Sequence, residues 1–188
     1  NGIHNHTQSY IHRKECELAF EAWRVIVCSN YMRHEIERSL HSPWDKIDII
    51  YNGIRPEKKQ HHQQFYTKDF RRQFAQDSEQ IVYYVGRMTY EKGISVLLNS
   101  SQKVLSEMGG NVKFVIIRGG NTNQLKQQAW NLGIWHKCYF TGFMADEYLD
   151  KFQTIADCAV FPSLYEPFGI VALESFAAKV PVVVSDTG

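Results

Sequence analysis

Residues 81–108 read "IVYYVGRMTYEKGISVLLNSSQKVLSEM", and the reading of this stretch decides the fold. Its first six residues are continuously apolar, β-branched or aromatic, without the alternation of a half-solvated strand. Such a run fits a strand buried on both faces, as in a parallel sheet. A polar loop closed by Gly93 follows, and then a helical pattern. The same order recurs downstream. Strands are predicted at "KFVIIRG", "CYFTGF", "CAVFPS" and "PVVVSD", with helices at "TNQLKQQAWNLG", "ADEYLDKFQTIA" and "FGIVALESFAAK" between them. Continuous apolar strands alternating with helices make βαβ units, and right-handed crossovers place helices on both faces of the sheet. The predicted class is doubly wound α/β.

The first 56 residues carry a shorter version of the pattern: helix "SYIHRKECELAFEAW", strand "RVIVCS", helix "NYMRHEIERSL", and "DKIDIIYNG" after "SPW". After "NGIRP" the pattern lapses into "EKKQHHQQFYTKDFRRQFAQDSEQ", which is polar with sparse aromatics. A domain boundary is expected near Asn52 to Pro56, dividing residues 1–56 from 57–188. The polar stretch is expected to be a connecting helix or loop on the second domain's surface.

Composition narrows the class. The chain has 188 residues, 44% of them hydrophobic and 22% charged, which suits a globular protein with a real core. Lys and Arg number 21 against 20 Asp and Glu, a net charge of +1, which gives no support to non-specific nucleic-acid binding. Cys16, Cys28, Cys138 and Cys158 are widely spaced among apolar residues and read as small core residues of a reducing, cytoplasmic environment. The longest apolar runs fall far below the roughly 18 residues a spanning helix needs. The chain opens on "NGIHNHTQ" and stops just after a strand, so a piece of a longer protein is expected.

In a doubly wound sheet, ligands bind beyond the carboxyl ends of the strands. The loops to read are therefore "GRMTYEKG", "RGGN", "TGFMADE" and "PSLYEPFG". In the last, a helix starting near Phe168 leaves the amides of Gly169, Ile170 and Val171 without intrahelical partners. The helix dipole there favours an anion such as phosphate. Glu174 shares a face of that helix with Ile170, Val171, Ala177 and Ala178, so a carboxylate interrupts an apolar stripe. It either binds ligand hydroxyls, for which a diol such as ribose suits its two oxygens, or pairs with a cation of its own domain or reaches water. Arg87 and Lys92 in the first loop are either a diphosphate-binding pair or two solvated charges. "VGRMTYEKG" is neither G-x-x-x-x-G-K-[ST] nor G-x-G-x-x-G, which disfavours nucleotide hydrolases and dinucleotide oxidoreductases.

Taken in order, "VGRMTYEKG", "TGFMADEYLDKFQTIADCAVFPSLYEPFGIVALES" and "PVVVSDTG" resemble the retaining nucleotide-sugar glycosyltransferases of family 4, the glycogen-synthase-like group with the GT-B fold of two facing Rossmann-like domains. Glu166 and Glu174 have the spacing of that family's E-x7-E element. "VIVCSNYM" and "KIDIIYNGI" resemble the end of its N-terminal, acceptor-binding domain and the linker. The resemblance implies that residues 57–188 hold a nucleoside-diphosphate sugar (UDP-, ADP- or GDP-linked) whose hexose passes to a hydroxyl of a sugar or lipid-linked glycan with retention. It implies Arg87 and Lys92 on the diphosphate, Glu174 on the ribose hydroxyls, and Glu166 on the transferred sugar with the amides of Phe168 and Gly169. The amides of Ile170 and Val171 would approach the phosphates, and Gly142, Phe143 and Met144 the nucleobase. Glu166, Arg87 and Lys92 are the catalytic candidates, Glu166 as a positioning group and not a nucleophile. No metal or other cofactor is implied, and for a lipid-linked acceptor the whole protein would contact a membrane peripherally. The alternative is a non-catalytic module of the same fold that binds nucleotide sugar.

The family's N-terminal domain also carries a histidine near the reacting sugar, soon after a strand. His4 and His6 have no strand before them, so that residue is expected upstream. His61 and His62 lack companions at metal-ligand spacing and read as a solvated pair. Trp23, Trp44, Trp130 and Trp135 read as packing residues.

Overall fold

A computed structural model of the chain describes residues 5–57, 68–117 and 119–187. His4, His61 and His62 lie outside the described residues. The chain forms two compact units, one ending at Gly53 and the other spanning Ile54–Thr187.

The larger unit is built on a five-stranded sheet whose strands are β3 (Gln80–Val85), β4 (Val112–Ile117), β5 (Cys138–Gly142), β6 (Cys158–Phe161) and β7 (Val182–Val184), in spatial order β5-β4-β3-β6-β7. Every pairing is parallel. The chain steps outward from β3 through β4 to β5, then returns to the other side of β3 for β6 and β7. Strand order therefore reverses between β3 and β6, the place where doubly wound sheets open a crevice. Both faces are covered at the sheet's centre, as the unbroken apolar strands require: Ile81, Tyr83, Val115, Ile116, Ile117 and Ala159 are each 0% exposed. The connecting helices are α4 (Ile94–Glu107), α5 (Asn123–Asn131), α6 (Asp146–Gln153) and α7 (Ile170–Ala177). On α4 the buried positions are Ile94, Leu97, Leu98 and Ser101, the three-and-four spacing of a single inward stripe.

The polar stretch before β3 is not a surface segment throughout. It holds the short helix α3 (Lys68–Arg72), and Arg71, Phe74, Ala75 and Glu79 are all buried. Arg71 donates to the carbonyls of Ile155 (2.6 Å) and Glu79 and to the Asp157 carboxylate (3.0 Å). Asp157 also accepts the Ile81 amide at 2.7 Å. A guanidinium has five donors in a rigid fork, so one side chain joins α3, the start of β3 and the start of β6. Arg71→Met leaves a carboxylate and two carbonyls without their donor. Because Asp157 keeps 36% of its side-chain exposure, the expected loss of stability is about 3 kcal/mol, the lower end for a broken buried pair. A urea titration of the variant measures it.

The smaller unit contains α1 (His6–Glu21), β1 (Val25–Val27), α2 (Asn30–Leu40) and β2 (Ile47–Ile49), with β1 and β2 parallel. Ser29 caps α2 by accepting the Met32 amide at 3.1 Å, and Arg24 forms a salt bridge with Asp48 that ties the lead-in of β1 to β2. Only Ala19 of α1 is buried.

The tryptophans are not core residues. Trp23, Trp44, Trp130 and Trp135 are 92%, 40%, 62% and 57% exposed. Trp44 packs beneath the Arg33 guanidinium, 3.6 Å from its ring centre, and Trp130 packs on Trp135 at 5.8 Å between centroids. The four cysteines are free thiols, but only Cys138 is buried.

Candidate functional site

β3 and β6 pair over only two rows, Val82 with Cys158 and Tyr83 with Ala159, although β3 runs on to Val85 and β6 to Phe161. Past those rows the two strands leave room between their carboxyl ends. Two loops rise there, residues 86–93 after β3 and 162–169 after β6. Their backbones are locked together. The Glu91 carbonyl accepts the amides of Leu164 (2.8 Å) and Tyr165 (3.3 Å). Gly93 has φ +65°, and a Cβ built on it would lie 1.7 Å from the Pro162 carbonyl oxygen. The glycine that ends the first loop is therefore what lets the second approach.

This contact places a cation against an acid. Lys92, on the short turn Tyr90–Lys92, donates to Glu166 Oε2 at 2.8 Å, with side-chain exposures of 18% and 22%. Ser163 donates to the same oxygen at 3.1 Å. Beside the pair lies a cavity of about 110 Å³ lined by Tyr84, Val85, Gly86, Lys92, Phe161, Ser163, Glu166, Ile170 and Val171. Tyr84 donates its hydroxyl to the Arg87 carbonyl at 2.9 Å, holding the loop from below. Burial, with the charges of Glu166 and Glu91, pushes that phenol above the ordinary tyrosine range, so it remains an O–H donor.

The far wall is the start of α7. Gly169 precedes it with φ +82° and ψ +44°, and no side chain caps the helix. The left-handed turn at Gly169 is the conformation glycine takes without a steric penalty. Ile170 and Val171, the first two residues of α7, line the cavity, and amides in a helix's first turn have no intrahelical acceptor. Glu174 follows one turn along the helix, half-buried, and among the described residues its carboxylate makes no hydrogen bond or ion pair.

The structure thus gathers Lys92, Glu166, Ile170 and Val171 around one cavity, with Gly169 at its edge and Glu174 a turn beyond. Arg87 stands apart, its side chain 73% exposed and 3.6 Å from Glu91. Phe168 does not line the cavity. Gly142 ends β5 and Phe143 and Met144 follow it, two strands from β3, about 10 Å across the sheet. Phe143 is 74% exposed, whereas Met144 is 5% exposed and belongs to the core, so its side chain is closed to a ligand. Sequence reasoning missed Ser163, Tyr84 and the Glu91 carbonyl. The signal for Ser163 was its place directly after β6 in "PSLYE"; the other two contacts carry none.

Trp130, Trp135, Tyr139 and Phe140 border a separate groove of about 510 Å³ between α5 and the edge strand β5. Among the described residues no helix is long and apolar enough to cross a membrane.

A doubly wound sheet with an uncapped helix start, a lysine and two carboxylates at its switch point defines an α/β domain suited to a ligand carrying both anionic and hydroxyl groups. The family model for glycosyl transferases group 1 matches residues 65–188, and that for glycosyltransferase family 4 matches residues 2–58. The chain belongs to the glycosyl transferases group 1 family. It is 39% identical over its whole length to an uncharacterized glycosyltransferase of Methanocaldococcus jannaschii, of which it covers 48%. It is 31% identical over 95% of its length to the glycogen synthase of Mycobacterium tuberculosis, of which it covers 41%. The chain spans about half the length of these curated relatives. Among solved structures, the Anabaena protein HepE in complex with UDP and glucose superimposes with a TM-score of 0.82 at 22% identity, covering 98% of this chain and 50% of that one. WaaG, a glycosyltransferase involved in lipopolysaccharide biosynthesis, superimposes with a TM-score of 0.75 at 16% identity, covering 87% of this chain and 44% of that one. The fold is that of GT-B glycosyltransferases.

Proposed function

We propose that residues 57–188 form the donor-binding part of a retaining hexosyltransferase that takes a nucleoside-diphosphate sugar, and that residues 1–56 belong to its acceptor-binding domain. The observation that carries this is the Lys92–Glu166 pair at the strand-order reversal, beside the open start of α7. An ammonium has three donors. Lys92 spends one on Glu166 and can turn the others to a diphosphate oxygen. The Ile170 and Val171 amides and the helix dipole add positive potential on the opposite side. Together they stabilise the charge that grows on the diphosphate as the glycosidic bond breaks, the role for which a metal ion would otherwise be required. Arg87, loosely held by Glu91, would swing onto the same diphosphate as the second cation. Glu166, already oriented by Lys92 and Ser163, accepts hydrogen bonds from the sugar hydroxyls, with the amides of Phe168 and Gly169 alongside. Glu174 takes the ribose diol, and the segment Gly142–Met144 borders the base. The acceptor hydroxyl attacks on the face the diphosphate leaves, so the anomeric configuration is retained without a protein nucleophile. The acceptor is a sugar or a lipid-linked glycan, reached by the whole protein at the membrane surface in the second case. The four free thiols suit a cytoplasmic setting.

Calorimetric titration with UDP, ADP and GDP tests the donor site. At least one binds more tightly than millimolar, and Glu174→Ala weakens it about tenfold or more, the loss of a charge-assisted hydrogen bond. If none binds, the donor assignment falls. Turnover of a labelled nucleotide sugar by the whole protein then separates a transferase from a binding module.

A further inference from the structure

Three polar side chains run through the core of the larger unit without touching the cavity described above. Tyr83 on β3, Gln153 at the end of α6 and Ser175 on α7 are each 0% exposed. Ser175 Oγ donates to the Val171 carbonyl one turn back, at 2.8 Å. A hydroxyl has one proton, so Ser175 can meet Tyr83 only as an acceptor, and the Tyr83 hydroxyl donates to it across 2.8 Å. Gln153 Nε2 in turn donates to the Tyr83 oxygen at 3.0 Å. The direction is thereby fixed, from Gln153 through Tyr83 and Ser175 to the Val171 carbonyl. Burial, ahead of the neighbouring charges, pushes the Tyr83 phenol up to about 12, so it stays a donor at any working pH.

Stability alone does not call for such a relay. Replacing every partner by apolar groups of similar shape is often neutral, whereas removing one leaves the others unpaired. A hydrogen bond supplies direction, which apolar packing lacks. Here it acts on α7, a helix of eight residues whose Val171 lines the cavity and whose Glu174 immediately precedes Ser175. One residue is about 100° around a helix, so a small rotation of α7 about its axis swings Glu174 with it.

We propose that Tyr83 is a positioning residue for the donor site: the Gln153–Tyr83–Ser175 relay sets the rotation of α7 and, through it, where Glu174 and the Val171 amide meet the ligand. This rests on the donor assignment above.

The test is a double-mutant cycle on the full chain, read as affinity for whichever of UDP, ADP and GDP the wild type binds most tightly, with UDP standing for that nucleotide in the variants that follow. Tyr83→Phe weakens binding about fivefold or more in the wild-type background but by no more than about twofold beside Glu174→Ala, because the two residues act as one unit. A second variant, Tyr83→Phe/Gln153→Met/Ser175→Ala, removes the whole relay. It melts within about 3 °C of the wild type, yet binds UDP as weakly as Tyr83→Phe alone. An equal loss in both backgrounds overturns the proposal, and so does a triple variant that regains wild-type affinity along with its melting temperature. Failure of the wild type to bind any of UDP, ADP or GDP overturns the donor assignment instead, and this proposal with it.

Discussion

A Gly93→Ala variant melts roughly 10 °C below the wild type and loses UDP binding. Two costs combine. Alanine in the left-handed region costs about 1–2 kcal/mol by itself, and Gly93 has φ +65°. The larger cost is steric. The new methyl carbon would sit 1.7 Å from the Pro162 carbonyl oxygen, and that neighbour is backbone, with no flexible end to give way. Either the turn Tyr90–Lys92 or the loop after β6 has to shift. Both carry site residues, Lys92 on one and Glu166 on the other, and the shared Glu91 carbonyl couples them. Differential scanning calorimetry with and without UDP reads both effects. A variant that keeps wild-type affinity would mean the loop contact does not organise the site.

Lys92→Met lowers affinity for UDP about 100-fold, the loss of one or two charge-assisted hydrogen bonds to phosphate, while uridine binds nearly as before. Methionine preserves the length of the aliphatic stem, so packing changes little. The variant also leaves the partly buried Glu166 with Ser163 as its one hydrogen-bond partner among the described residues. Adding Glu166→Gln removes that unpaired charge and restores stability without restoring the affinity for diphosphate. Isothermal calorimetry on UDP and uridine, side by side, separates a phosphate contact from a general collapse of the pocket. Equal losses for the two ligands would remove Lys92 from the diphosphate.

The chain's architecture is legible in its sequence because a buried parallel strand has no polar position to spare. "IVYYV" and "FVII" are unbroken for that reason, and the helices between them follow from the crossover rule. Lys92, Glu166 and Glu174 are legible one at a time through the loops that hold them. Their arrangement is not. Lys92 and Glu166 are 74 residues apart, and only the return of the chain from β5 to β6 brings them into contact. Arg71 was hidden for a related reason: its carbonyl partner at Ile155 lies 84 residues away, and a cation within a polar run looks like surface. Trp44, Trp130 and Trp135 do pack, but at the surface. Residue type marks Trp130 and Trp135 as apolar, but their positions on the outer side of α5 and beyond its end leave both exposed. Met144 shows the converse, a core side chain inside a loop read as ligand-facing.

A crystal structure of the chain with UDP bound tests the donor site most directly. The diphosphate should lie within hydrogen-bond reach of Lys92 Nζ and of the Ile170 or Val171 amide, with the ribose hydroxyls on Glu174. UDP seated elsewhere on the sheet, with the Lys92–Glu166 pair untouched and Glu174 facing water, would contradict it.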